Sequence, residues 1–160
     1  MGKIYGNLMN RLEEGRSFAP IQVGTDITMY HWSDRDCYYV TRVVDEKHIF
    51  VKEYRVVADH EKDGGMGHQN WLYFKSNKEA QDYLRRFFPD TPESDYEAPE
   101  QEWVFRYGKW MRCYTITNQR ACFTERERKA FQKDGCFKRY YNLPGDVSFG
   151  VRNYYYDWSF

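Results

Sequence analysis

Three stretches of the chain carry residue types whose spacing could do chemistry. The first runs from Trp103 to Tyr114, where Trp103, Tyr107 and Trp110 interleave with Arg106, Lys109 and Arg112. Rings beside guanidinium and ammonium groups make a surface that stacks on bases and pairs with phosphates. A plain hairpin with rings inward and bases outward has the same alternation. The second stretch is the turn Ser33-Asp34-Arg35-Asp36 beside Trp32. Asp34 and Arg35 there could offer a guanidinium to a phosphate or a partner carboxylate, or could simply close a hairpin as an ion pair. The third is the loop Asp59–His68, in which His60, Asp63 and His68 could hold a divalent cation with Glu61 as a general base. That donor set suits a metal-dependent phosphodiesterase or nuclease, and the loop's glycines could turn N–H groups toward a phosphate. It has neither the Walker spacing, the dinucleotide fingerprint nor a helical HExxH, and it reads equally well as a solvated surface loop.

Enzymatic constellations are otherwise missing. There is no GxSxG elbow, and no cysteine has a histidine close by in sequence. We therefore expect a binding protein with no catalytic residue, metal or cofactor. The candidate binding residues are Trp32, Asp34, Arg35, Trp103, Arg106, Tyr107, Lys109, Trp110 and Arg112. Cys37, Cys113, Cys122 and Cys136 follow no CxxC spacing, so they are expected as buried, reduced thiols.

Charge sharpens the expectation. The net charge is zero, but six acids and no Lys or Arg lie between Asp90 and Glu102, whereas ten bases face three acids between Arg106 and Arg139. Either the acidic loop pairs with the basic third, or the basic third is meant for an anionic partner. Zero net charge argues against a mimic of DNA, and it also weakens a general nucleic-acid binder. No apolar run is long enough for a membrane span, and the N-terminus lacks a signal-peptide pattern, so a cytosolic protein without membrane contact is expected.

The elements that must position these residues are short. Aromatic residues number 31 of 160, and rings fit the half-buried surface of a strand. Strands are expected over 27–32, 37–44, 48–57, 70–75, 102–107, 109–116, 136–142, 146–151 and 153–159. A helix over 3–14 precedes them. Ser76-x-x-Glu79 opens a helix whose stripe is Ala80, Tyr83, Leu84, Phe87 and Phe88, ended by Pro89. Thr124-x-x-Glu127 opens another, stopped by Gly135. Tyr107-Gly108 reads as a hairpin turn. The fold class is α+β and β-rich: an antiparallel curled sheet or a small SH3-like barrel with two or three short helices, in a single domain over 1–160 with a flexible acidic loop at about 89–101. The terminal Tyr154-Tyr155-Tyr156-Asp157-Trp158-Ser159-Phe160 is expected as a strand sewn into the sheet.

Three of these stretches carry a resemblance. Trp32-Ser33-Asp34-Arg35 followed by Tyr39-Val40-Thr41, the hairpin Arg106-Tyr107-Gly108-Lys109-Trp110, and the ending Tyr155-Tyr156-Asp157-Trp158-Ser159-Phe160 resemble a diffuse group of uncharacterised proteins encoded by bacteriophages and prophages. Asp36 departs from the group's pattern, where a His is common, and the helices at 76–88 and 124–134 look like additions. The resemblance implies a phage or mobile-element origin and a small β-rich fold, and it carries no catalytic residue with it. It also implies a partner: a host defence protein or its nucleotide or nucleic-acid ligand, met in the host cytoplasm and blunted by stoichiometric binding, as an anti-CRISPR-like inhibitor or a sink for a nucleotide signal would do. A nucleic-acid-binding protein using the basic, aromatic stretch is the alternative, and the metal-dependent phosphodiesterase or nuclease is a second one.

Overall fold

Strand alternation decides which face of each ribbon is buried, and the described residues hold nine strands, two α-helices and a short 3-10 helix at Gln119–Ala121. The computed structural model describes residues 20–62 and 69–156. The elements are β1 (Asp26–Tyr30), β2 (Arg35–Asp45), β3 (His48–Glu53), β4 (Arg55–Ala58), β5 (Trp71–Phe74), α1 (Asn77–Arg85), β6 (Gln101–Arg106), β7 (Lys109–Ile116), α2 (Glu125–Asp134), β8 (Phe137–Asn142) and β9 (Asp146–Phe149). Seven strands form one antiparallel sheet in the order β8-β7-β6-β3-β2-β1-β9, and β4 pairs with β5 in a small second sheet. This is a β-rich α+β architecture. The expected helix over 3–14 lies outside the described residues.

The large sheet is strongly curled. Laid flat, its two edge strands would stand six spacings apart, about 29 Å. Yet β8 and β9 are joined by only Leu143, Pro144 and Gly145, a link that spans at most about 14 Å. The Trp110 ring on β7 meets the Phe149 ring on β9 at 5.4 Å, although the two strands are not neighbours. The edges approach without pairing, so among the described residues the ladder stays open and does not close into a barrel.

The inner face holds the main core. Ile27 and Met29 of β1, Tyr38 and Val40 of β2, Ile49 and Val51 of β3 and Trp103 of β6 are buried together, with Trp110, Leu143, Val147 and Phe149 packed against them. Tyr38 and Trp103 lie ring to ring at 5.2 Å. On the outer face, Cys37 and Tyr39 pack with Tyr54, Tyr73 and Tyr154. The β4–β5 sheet and α1 form a third cluster around Val57, Ala80 and Tyr83.

Several elements differ from expectation. The strand expected over 48–57 breaks at Tyr54, where the chain leaves the large sheet to enter the small one. Its hydroxyl donates to the Asp26 carboxylate, anchoring the corner on β1. The helix expected over 76–88 ends at Arg85, leaving Phe87 and Phe88 beyond it and partly in water against the His60 ring. The terminal aromatics are not a strand in their described part: Tyr155 makes one isolated bridge to Arg35, and Tyr154 instead lies edge-on to Trp71 at 4.7 Å. Residues 157–160 lie outside the described ones.

The acidic segment has no regular structure, as a loop should, but it is tied down at both ends. Asn77 donates its backbone N–H to Glu97 and its amide to the Ser94 carbonyl, Gln81 donates to the Pro92 carbonyl, and Arg85 reaches Glu93. Glu100 accepts from Thr41 and Arg42, both at 2.6 Å, and these bonds hold its carboxyl below the usual carboxylate range. No helix among the described residues is long and apolar enough to cross a membrane.

Candidate binding cleft

The site is built at the place where the curled sheet brings its edges together. The β6–β7 hairpin turns on Tyr107 and Gly108, with φ values of 54° and 74°. Both are left-handed, as the two-residue turns matching strand twist demand. The turn projects Tyr107 into water at 82% exposure and sets Lys109 and Trp110 at the start of β7. Opposite it, the β1–β2 turn is closed by a 2.9 Å backbone bond from the His31 N–H to the Asp34 carbonyl. That turn leaves Trp32 97% exposed. A tryptophan held almost wholly in water on a short turn makes little use of its ring for packing among the described residues.

The third wall is the β8–β9 link. A Cβ placed on Gly145 would sit 2.0 Å from the Tyr30 carbonyl oxygen, so only glycine lets this link press onto the end of β1. Together these three turns enclose a cleft of about 870 Å³, lined by Trp32, His31, Phe105, Lys109, Trp110, Asn142, Asp146 and Phe149 among others. Its volume lies within the usual range for small-molecule sites. Its lining offers aromatic faces for stacking, and Lys109, Asn142 and Asp146 stand at its rim, at the ends of their strands. His31 is steered by Asp36, whose carboxylate lies 2.6 Å from Nε2. Beside this pair, the Glu53 carboxyl is raised above the usual range, chiefly by desolvation and then by the Asp36 charge, although the residue as a whole is exposed.

The candidate residues thus divide. Trp32, Lys109 and Trp110 converge on one cleft, joining two stretches of sequence that are far apart. Asp34 contributes its carbonyl to the turn beneath Trp32. Arg35 belongs to the outer face, where its guanidinium lies 5.6 Å from the Tyr30 ring and 5.4 Å from Tyr155, so it fastens the C-terminal segment. Trp103 is corrected outright: it is 0% exposed in the core and cannot stack on a ligand. Its indole N–H donates to Gln101 at 3.1 Å, which satisfies the group that burial would otherwise strand. Arg106 and Arg112 do not share a face. Trp103 pairs with Arg112, and Arg106 pairs with Lys109, two registers of opposite parity. Arg106 lies 4.0 Å over the Tyr140 ring on the outer face, and Arg112 lies 4.6 Å over Tyr114 on the inner one.

The structure also shows how the uneven charge is used. Within the basic third, Lys129, Lys138 and Arg139 are paired, with Glu125, Glu102 and Glu127. Two further carboxylates of the acidic segment, Glu100 and Glu93, pair with Arg42 and Arg85, outside the basic third. Arg106, Lys109 and Arg112 take part in no ion pair among the described residues.

Sequence reasoning missed Asn142, Asp146, Phe149 and the link at Gly145. The Pro144-Gly145 dipeptide marks a turn, but nothing local says that the turn joins the two edges of one sheet. For the metal reading, Asp63 and His68 lie outside the described residues. His60 stacks among Tyr83, Phe87 and Phe88, and Glu61 pairs with Arg86 at 2.6 Å. No group of three metal-binding side chains occurs among the described residues. The thiols are free; Cys37 and Cys113 are buried, Cys122 and Cys136 only partly. Burial pushes the Cys37 thiol up to about 11. The chain matches no protein-family model, no curated protein and no solved structure.

Proposed function

We propose that this chain acts by stoichiometric binding, and that the cleft between its sheet edges takes a phosphorylated ligand bearing a nucleobase. The observation that carries the reading is Trp32, 97% exposed on the rim of a cleft that also presents Trp110, Phe105 and Lys109. A base stacked between indole faces contributes about 1–3 kcal/mol, and the ammonium of Lys109 supplies the charge that a phosphate needs. Asn142 and Asp146 line the same cleft and bring an amide and a carboxylate within the reach of a bound base's polar edge. The rings and the cation on this cleft support capture of a ligand. Set beside the resemblance to phage and prophage proteins, capture suits an inhibitor of host antiviral defence that sequesters a nucleotide or nucleic-acid ligand in the host cytoplasm.

Calorimetric titration with a panel of mono- and dinucleotides tests this directly. Binding is expected with quenching of tryptophan emission, and Trp32→Ala and Lys109→Glu are each expected to weaken it at least tenfold. Silence across the panel, together with no co-purifying ligand from an infected host, would sink the proposal.

A further inference from the structure

We infer that the ligand of the cleft is a short single strand of nucleic acid, threaded from the cleft along the inner face of β7 and β8 past Arg112, Tyr114 and Tyr141. This rests on the cleft reading and extends it. Trp110 lines the cleft, and alternation puts Arg112 and Tyr114 on the same face, at steps of about 6.8 Å along β7. Arg112 pairs in register with Tyr141 on β8, which brings that ring to the same face. Tyr114 meets Tyr141 edge to face at 5.4 Å, and the Arg112 guanidinium lies 4.6 Å over Tyr114. Both rings remain substantially in water, at 37% and 51% exposure. The result is a cation and two rings in continuity with the cleft.

Charge decides the class of ligand. Arg112 takes part in no ion pair among the described residues. Its neighbour on this face, Arg139, is already held by Glu127 at 3.0 Å and by the Ala121 carbonyl at 2.6 Å. Arg112 is therefore the phosphate contact of the track, as Lys109 is of the cleft. A mononucleotide would use the cleft and leave Tyr114 and Tyr141 bare, whereas a strand covers both. Stacking on rings needs unpaired bases, and an incurved sheet face offers no helix or ribbon to enter a duplex groove. The inner-face acids Asp36 and Glu53 face Met29 and Tyr38 on β1 and β2, and Asp36 is already engaged by His31.

Fluorescence anisotropy with labelled oligonucleotides of one, two, four and eight residues, on the full chain, tests the inference. Affinity is expected to rise at least tenfold from one residue to four and then to level off. Tyr141→Ala should reduce tetranucleotide affinity by about 5- to 150-fold, collapsing its advantage over the mononucleotide. Arg112→Gln gives an independent reading even if the tyrosine variant fails to fold. It should make the slope of log affinity against log salt shallower by about 0.7, the loss of one contacted phosphate on a single strand. Mononucleotide binding with no gain from length overturns the track and leaves the cleft reading standing. Loss of all binding to both removes the two together. Tighter binding of a duplex than of its single strands also overturns the inference.

Discussion

Replacing Gly145 with alanine tests the closure on which the cleft depends. The added Cβ would lie 2.0 Å from the Tyr30 carbonyl oxygen, 2.7 Å from its carbon and 3.4 Å from the His31 nitrogen. All three are backbone atoms, so no side chain can swing aside. Either the β8–β9 link lifts away or the end of β1 moves, and the four-residue ladder from Ile27–Phe149 to Tyr30–Asp146 is strained at its last rung. Overpacking of this kind costs about 1–3 kcal/mol. Alanine also narrows the unfolded ensemble, which returns about 0.4–1 kcal/mol. The net expectation is a loss of about 1–2 kcal/mol, or a fall in Tm of about 2–8 °C for a chain of this size. Differential scanning calorimetry and urea unfolding measure it. Ligand affinity should fall with it, because the same shift moves Asp146 and the rim under Trp32. A variant that melts at or above the parent temperature would refute the reasoning, since it would show that the link is not seated on β1.

Other consequences are as direct. Trp103→Ala should destabilise by about 3–5 kcal/mol, as a fully buried tryptophan does, whereas Trp32→Ala should leave the melting temperature within experimental scatter; equal effects would contradict the assignment of one to the core and the other to the rim. Arg139 first, then the N–H groups of Phe123 and Thr124, hold Glu127 down to about 2. A carboxylate depressed in the folded state stabilises above its unfolded value and loses that contribution as pH falls through the folded one. The α2 cap should therefore weaken between about pH 4.5 and 2, and Glu127→Gln should remove that segment of the acid-unfolding curve. Tyr154 covers Cys37, with its N–H donating to the Tyr73 hydroxyl at 2.8 Å. Removing the chain after Asn153 should cost at least about 2 kcal/mol and render Cys37 reactive to a thiol reagent at pH 8, while in the intact protein Cys122 and Cys136 react first.

How much of this could be read in the chain depends on the range of the signal. The Tyr107-Gly108 hairpin and the Thr124-x-x-Glu127 capping box are legible because their causes are local: left-handed turn residues, and a side chain reaching its own helix end. Both hydrogen bonds of the capping box form as its spacing demands. Trp103 and Trp32 were beyond that range. Each sits beside polar residues on a strand or turn, and alternation says that two faces differ without saying which one is covered. The corner at Tyr54 was hidden for a related reason, since Glu53 and Arg55 continue a strand pattern while a remote carboxylate, Asp26, sets the bend. The run Tyr154-Tyr155-Tyr156 carries strong strand propensity, but Trp71 and the Arg35 guanidinium capture its rings separately, so it is spent on packing instead of pairing. The cleft combines two legible stretches with one link that only topology explains.

The position of β1 between β2 and β9 bears on how the polypeptide is made. Ile27 and Met29 contribute to the core from one side, yet their outer neighbours Phe149 and Val147 are more than a hundred residues away. The Thr28 hydroxyl donates to the Val151 carbonyl at 2.7 Å, across the same separation. A ribosome therefore releases β1 more than a hundred residues before the strand that covers its free edge, and the nascent sheet carries that bare edge until β9 is made. Pairings of such separation slow folding, and an unpaired strand edge invites foreign strands. Native structure in this chain is consequently completed only after β9 has been made, when it closes against β1 and draws the two rims of the cleft together.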